Sequence, residues 1–574
     1  MYRSRHSVRV LFLAIVVGSI AVAPSLLAPL TLGQDYRGVQ VQLIDNDDTY
    51  RVQIKELFTR HSVVSPYLLE YKEEMNAPVP AINLWFYALP AAFLGVPAIL
   101  LLSKFLFPAL LFFLVYLGTR SCVRSIEERD RELLAIAAGL AVTLGFDLVD
   151  VRHVFAILQG TAFPSPLVWT RLVNPIVGAL EVFGVVALLA VIVERRARFA
   201  YVALGALLAL TVGYFFSFGI ALAMTGTLLL IMIVRKEYVV ARELLFAILI
   251  SFVLTVGYWY QILTTVGGET GRMVAQHNGM FYTHTPVVNL FLLATSIVVL
   301  SAYGFSRWVK REQIHTHVWS YLGAFLGGSW IAFNQQVLTG REIWYPHFVQ
   351  YVIPLCFVSL LVAGYLTVHS FAPKLTRRVL FFVCSGALAY GIFSVTSYVP
   401  RIDEFRELQD TAAVFSILGQ KPDTCVAFVL PLDSTLERLI PAYTPCSVYS
   451  TSFVFYGVPK ERILHNYLTY LRLQGVTEKG LHAYLLAHQT EVRQYFFDDW
   501  HQLFSSDVDP WLLERFSMLE GAYSEFSKKD LLGELQKYRI DYVITPNPLS
   551  PSVLNELPGL ALATSTTRYF LYSF

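Results

Sequence analysis

The sequence predicts an α-helical polytopic membrane protein of about eleven transmembrane helices, followed by a C-terminal α/β domain outside the lipid. Three observations point there. The 574 residues are 55% hydrophobic and only 15% charged, with mean hydropathy +0.53, well above the balance of soluble chains. Apolar stretches of spanning length recur up to Tyr398. Beyond it charges become frequent, apolar runs shorten to strand length, and Pro, Asp and Asn punctuate them.

The first apolar run starts at Val10, behind Arg3, Arg5 and Arg9. Its length suits a signal anchor, and Pro24, directly after the cleavage-like Ala21-Val22-Ala23, argues against removal. Further stretches at 98–119, 132–149, 175–193, 199–216, 218–234, 244–262, 286–305, 318–333, 348–371 and 379–398 complete the crossings. Alternate connections are basic: Arg120, Arg124, Arg129 and Arg131; Arg195, Arg196 and Arg198; Arg235, Lys236 and Arg242; Arg307, Lys310 and Arg311; Lys374, Arg377 and Arg378. The positive-inside rule makes these loops and the N-terminus cytoplasmic. The other loops and the C-terminal domain then face outward from a bacterial-type inner or plasma membrane. A second crossing at 81–94 would reverse every later basic loop, so that aromatic segment, with Trp85, Phe86 and Tyr87, is expected as an interfacial helix.

The chain thus divides into a transmembrane part, 1–398, and a soluble domain, 399–574, with strands expected at 425–430, 542–545 and 569–574 and helices at 459–475 and 529–539. Cys425 and Cys446 share that domain, and an oxidising compartment lets them pair. The five cysteines contain no C-x-x-C, which removes zinc-ribbon and thioredoxin-like readings. Net charge is +2 and the basic residues sit in short clusters, so nucleic acid is not an expected partner.

Polar chemistry concentrates in the outward loops. The first, 33–79, carries Asp45, Asp47 and Asp48 just before a helical-looking segment, then Glu70, Glu73 and Glu74. Carboxylates so placed accept a proton or hold a cation. The same aspartates also suit a solvated turn and helix N-cap, and the glutamates a charged helix face. The loop NQQVLTGREIWYPHF, 334–348, offers Arg341 for bidentate contact with phosphate and His347 as donor or charge. A snorkelling arginine and a capping histidine are the structural alternatives. FPSPLVWTRLVNP, 163–175, sets Arg171 and Asn174 at the mouth of a span, where headgroup anchoring competes with function. VGGETGRMVAQHNGMFYTHTP, 266–286, holds Arg272, His277 and His284 but lacks the strand-to-helix setting of a nucleotide loop, and reads as a mobile lid. Glu181, inside the fourth span, faces a cavity or a partner helix. No HExxH, GxSxG or P-loop pattern occurs.

The run DDTYRVQIKE, the following SPYLLEYKE with its Pro-flanked aromatic helix, RLVNP, NQQVLTGREIWYPHF and the terminal YRIDYVITPN resemble the GT-C superfamily of membrane glycosyltransferases, which includes relatives of protein mannosyltransferases and the aminoarabinose transferase. The resemblance spans most of the membrane part in short motifs. It implies a GT-C-like fold and an inverting transferase of cell-envelope glycan biosynthesis. Such an enzyme moves a sugar from a polyprenyl-phosphate carrier to a glycan, lipid or protein acceptor at the outer face. A first-loop carboxylate is the base in that superfamily; Asp47 and Asp48 match its position, and Asp45 less closely. Glu70 resembles a second acidic position, and substrate contacts are expected from Glu70, Arg171, His277, Arg341 and His347, the last two gripping the carrier phosphate. No cofactor is required and no metal ligands are assigned, although the neighbouring carboxylates permit a divalent cation. The rival reading is a transporter or lipid-linked glycan flippase. Transporters place ionisable groups and broken helices near the midplane, often in repeated halves, whereas here the polar residues gather in loops and no repeat is visible. A receptor acting through its C-terminal domain would need one anchor, not eleven spans.

Overall fold

Each of the eleven stretches expected to cross lipid falls on a helix in the computed structural model, which describes residues 2–44, 47–59, 65–72, 81–195, 197, 199–266, 280–309, 316–369, 371–420, 424–431, 434–451, 458–498 and 500–574. In chain order the helices are α1 (Tyr2–Leu32), α2 (Asp47–Thr59), α3 (Ile82–Leu94), α4 (Val96–Cys122), α5 (Glu128–Thr143), α6 (Val151–Leu158), α7 (Ile176–Val193), α8 (Ala200–Leu210), α9 (Phe215–Val234), α10 (Tyr238–Leu254) and α11 (Val256–Val266). Leu290–Val309, Thr316–Phe333, Pro346–Val368 and Pro373–Ser394 complete the bundle. Among the described residues seven helices have the length and apolarity to cross alone, and α10 with α11 forms an eighth, bent by 57°. The helices α5, α8 and Thr316–Phe333, of 16, 11 and 18 residues, are shorter or less apolar. The aromatic segment is a separate helix, α3, because Gly95 at φ 80° breaks it from α4. Its 13 residues reach only about 20 Å, too short to span alone.

Two sheets stand at the loop-bearing end. β1 (Met280–Tyr282) and β2 (Arg341–Ile343) form a short antiparallel ribbon. The C-terminal sheet contains β3 (Val426–Val429), β4 (Ser447–Val448), β5 (Tyr542–Thr545), β6 (Ala561–Ser565) and β7 (Phe570–Ser573) in the order β4-β3-β5-β7-β6. β3 runs parallel to β4 and β5, and β7 antiparallel to β5 and β6. β3 and β5 are buried at every residue and apolar except at Thr545, as suits central strands covered on both faces. Cys425 and Cys446 are joined as a disulfide that ties the starts of β3 and β4.

The side-chain alternation of β3 splits the core of this unit in two. Val426 and Phe428 pack on one face with Tyr467, Leu471, Leu512 and Phe516, while Ala427 and Val429 pack on the other with Leu436, Leu439 and Ile440. Val39, Val52 and Tyr67 of the first loop are buried in that second core. The first loop and the C-terminal unit, more than three hundred residues apart, therefore share one hydrophobic interior. Edge hydrogen bonds reinforce it: the Val448 amide donates to Tyr67 O at 3.0 Å, and Gln409 Oε1 accepts the amides of Arg37 and Val39 at 3.0 and 3.2 Å.

One largely buried histidine, its side chain 12% exposed, gives this unit a pH dependence. His465 donates from Nε2 to Glu534 O at 3.1 Å and sits edge-on to Phe526 and Tyr538. Burial, assisted by the Arg462 charge, holds its pKa down to about 4. A histidine kept neutral in the fold contributes full stability above its unfolded pKa of about 6.5, and loses it as pH falls toward 4. Acidification from pH 6.5 to 4 is expected to cost the unit about 2 kcal/mol after allowance for solvent screening. Thermal melts of the full chain across that range check it, with His465→Gln showing a flatter profile.

Candidate active site

Successive residues of an α-helix point about 100° apart, so the two aspartates that open α2 cannot face the same body. Asp47, Tyr50 and Ile54 turn toward the membrane bundle. Asp48, Arg51, Val52 and Lys55 turn toward the C-terminal unit. Helix α2 is a wedge between the two bodies, with an apolar residue on each face.

Asp47 is buried, with Oδ2 at 2.8 Å from Lys104 Nζ and Oδ1 accepting the Leu172 amide at 3.1 Å. Lys104 lies well inside α4 and is buried as well. An ammonium in an apolar helix is tolerated there only with an anion or water beside it. With Gln40, Gln42, Arg51 and Leu172, the pair lines a cavity of about 20 Å3, room for one water.

Leu172 belongs to the RLVNP turn. Val173 takes φ 57°, a left-handed conformation that β-branched residues avoid. Its amide is held by Tyr87 Oη at 2.9 Å, and Asn83 Nδ2 donates to Asn174 Oδ1 at 2.9 Å. The turn thereby presents the Leu172 amide to Asp47 and sets Asn174 beside the Tyr50 phenol. Arg171 lies within electrostatic reach of Tyr50, Tyr214 and His347. Its buried Nε has no hydrogen-bond partner among the described residues. Tyr214, at the start of α9, sets its hydroxyl 2.6 Å from His347 Nδ1, and the imidazole stacks on Phe216 at 4.8 Å.

Asp48 is held from the other side: Oδ2 lies 3.2 Å from Arg438 Nε, on the helix Ser434–Tyr443. Burial pushes its carboxyl above the usual range, against the pull of Arg438.

Asp47, Arg171 and His347 thus come together through Tyr50 and Tyr214, although they lie in three separate loops. Glu70 stands elsewhere, 3.8 Å from Arg462 in the C-terminal unit. Arg341 opens β2 and is exposed, with Tyr282 opposite it and its backbone bonded to Thr339 and Gln335. Glu181 accepts from Ser217 Oγ at 3.4 Å inside the bundle. Asp45, Glu73, Glu74, Arg272 and His277 lie outside the described residues. Among the described residues no three His, Cys, Asp or Glu side chains converge. Asp47 and Asp48 each face a basic side chain, Lys104 and Arg438, instead of a common centre.

Sequence reasoning missed Lys104, Tyr50, Tyr214 and Arg438. Lys104 carried a usable signal, a lone cation in an otherwise apolar span. Tyr214 and Arg438 carried none, because nothing local distinguishes them from an interfacial tyrosine and a surface arginine.

No protein-family model matches the chain, and no curated protein matches it. Among solved structures, the crystal structure of ArnT from Cupriavidus metallidurans bound to undecaprenyl phosphate aligns over 99% of this chain and 97% of its own, with 13% identity and a TM-score of 0.48.

Proposed function

We propose that this chain is an inverting GT-C-type glycosyltransferase that passes a sugar from a polyprenyl-phosphate carrier to an acceptor hydroxyl at the outer membrane face, with Asp47 as general base. The observation that carries this reading is a carboxylate and three cationic or donor groups, Lys104, Arg171 and His347, gathered where the helix bundle meets the loops. Asp47 is favoured over Asp48 because it turns toward the bundle, where Arg171 and His347 also lie, and lines the small cavity beside Lys104, while Asp48 turns away toward Arg438 in the C-terminal unit.

The chemistry asks little of the protein. The acceptor oxygen attacks the anomeric carbon, the bond from that carbon to the phosphate oxygen breaks, and the hydroxyl proton passes to Asp47. The leaving polyprenyl phosphate takes the electron pair, and its added charge falls to Lys104 and Arg171, an ammonium and a fork-shaped guanidinium suited to phosphate. An incoming phosphate competes with Asp47 for Lys104, so donor binding frees the carboxylate to meet the acceptor. Single displacement inverts the anomeric carbon. No metal is needed, and transfer should persist in EDTA.

The test is to incubate purified full-length protein with a panel of polyprenyl-phosphate hexoses and pentoses together with membrane lipid and glycan acceptors. Transfer from at least one donor, with inverted product, is expected. Movement of an intact carrier-linked sugar across vesicles without any transfer would instead establish the flippase reading.

A further inference from the structure

We propose that Arg438 is a positioning residue through which the C-terminal unit sets the catalytic loop: by anchoring Asp48 it fixes the rotation of α2 that turns Asp47 toward Lys104. This rests on the reading of Asp47 as base and adds to it a working role for the C-terminal unit.

On α2, positions 48, 51, 52 and 55 form one stripe at i, i+3, i+4 and i+7, and every one of them meets the C-terminal unit. Arg438 pairs with Asp48 at 3.2 Å, and the Arg51 guanidinium lies 3.9 Å over the Tyr443 ring. Val52 is buried in the shared core, and Lys55 Nζ donates to the carbonyls of Pro441, at 2.7 Å, and Thr444. Their polar partners in the C-terminal unit come from the helix Ser434–Tyr443 and the residue after it, and Arg51 also donates to Gln40 Oε1 at 3.3 Å. Because Asp47 and Asp48 are adjacent, a rotation of α2 by one position would exchange them, putting Asp48 toward Lys104. On the bundle side Tyr50 packs in this first turn, but on the side of the C-terminal unit the nearest apolar anchor, Val52, lies a turn away. Lys104 and the Leu172 amide hold that turn from the bundle side, and the ion pair at Asp48 holds it from the side of the C-terminal unit.

Asp48 depends on this partner. It is 1% exposed, and its Oδ1 has no hydrogen-bond partner among the described residues. The charged and titratable groups facing it are Arg438 from the C-terminal helix, Asp47 on its own helix, and Tyr67, whose hydroxyl donates to Thr49 Oγ1 at 3.0 Å. Of these only Arg438 favours the ionised form, since Asp47 repels it. Removing the guanidinium raises the pH at which Asp48 loses its charge and lets the first turn go.

The experiment compares Arg438→Gln, Arg438→Lys, Asp48→Asn/Arg438→Gln and Asp47→Asn in the full chain, using a polyprenyl-phosphate sugar turned over by the wild type. Arg438→Gln is expected to lower kcat about tenfold with donor KM within about twofold, and to move the acid limb of the kcat profile to higher pH, while Arg438→Lys recovers most of the rate. The double variant leaves no lone buried charge and so assembles; its kcat stays low and its acid limb returns. Wild-type kcat per folded molecule in both Arg438→Gln and the double variant overturns the proposal. Hydrogen exchange at residues 47–52 tests the same point without turnover, rising in Arg438→Gln if the proposal holds and unchanged if it does not. The two readings fail separately. Retained transfer in Asp47→Asn removes the base assignment, whereas a dead Asp47→Asn beside wild-type Arg438 variants removes only the positioning role.

Discussion

Asp47→Asn is expected to abolish transfer, by about a thousandfold in kcat, and to lower the melting temperature as well, because it leaves Lys104 a buried ammonium without an anion. The substitution keeps the shape of the side chain and an oxygen for the Leu172 amide at Oδ1, so the RLVNP turn has no reason to move. What disappears is the proton acceptor. Without it the attacking hydroxyl must carry its proton into the transition state, and the reaction keeps only the advantages of alignment and phosphate stabilisation. Asp48→Asn is the control: it loosens the grip of Arg438 but leaves the base in place, so its loss should be nearer tenfold. Turnover by detergent-purified variants, normalised to the monodisperse fraction on size exclusion, measures both. If Asp48→Asn is the dead variant and Asp47→Asn the active one, the base assignment is wrong.

The second large effect belongs to Lys104. Lys104→Met suits the apolar surroundings of α4, yet it strands Asp47 as a buried anion without its partner. Breaking a buried pair from one side typically costs about 3–5 kcal/mol, whereas replacing both members is far better tolerated. Lys104→Met should therefore melt well below the wild type, or survive with Asp47 protonated and unable to act as base; both outcomes eliminate transfer. The double variant Asp47→Asn/Lys104→Met is expected to regain thermal stability and to remain inactive. Thermal melts in detergent paired with the transfer assay separate the two contributions. A Lys104→Met protein with wild-type melting temperature and wild-type turnover would mean that this ion pair serves neither stability nor chemistry.

Much of this molecule is legible in its sequence. Lipid admits only backbones that satisfy their own hydrogen bonds, so hydropathy alone located all eleven helical stretches, and Gly95 with Pro97 marked the break before α4. The strands at Val426–Val429, Tyr542–Thr545 and Phe570–Ser573 stood out because buried strands are short apolar runs between turn residues. β4 and β6 did not, one being two residues long and the other an exposed edge. Around the site, the DD pair, Arg171 and His347 were visible as polar residues in otherwise sparse loops.

What the tertiary structure alone decided is how those loops meet. A sequence pattern reports neighbours three or four residues apart, because helix and strand periods are local. It has no term for Lys104 reaching Asp47 across 57 positions or Arg438 reaching Asp48 across some 390. Asp47 and Asp48 look interchangeable as letters; they become different because α2 is wedged between two bodies, and a helix turned by 100° shows each aspartate a different cation. The local chemistry was written in the chain, and its division of labour arose from packing.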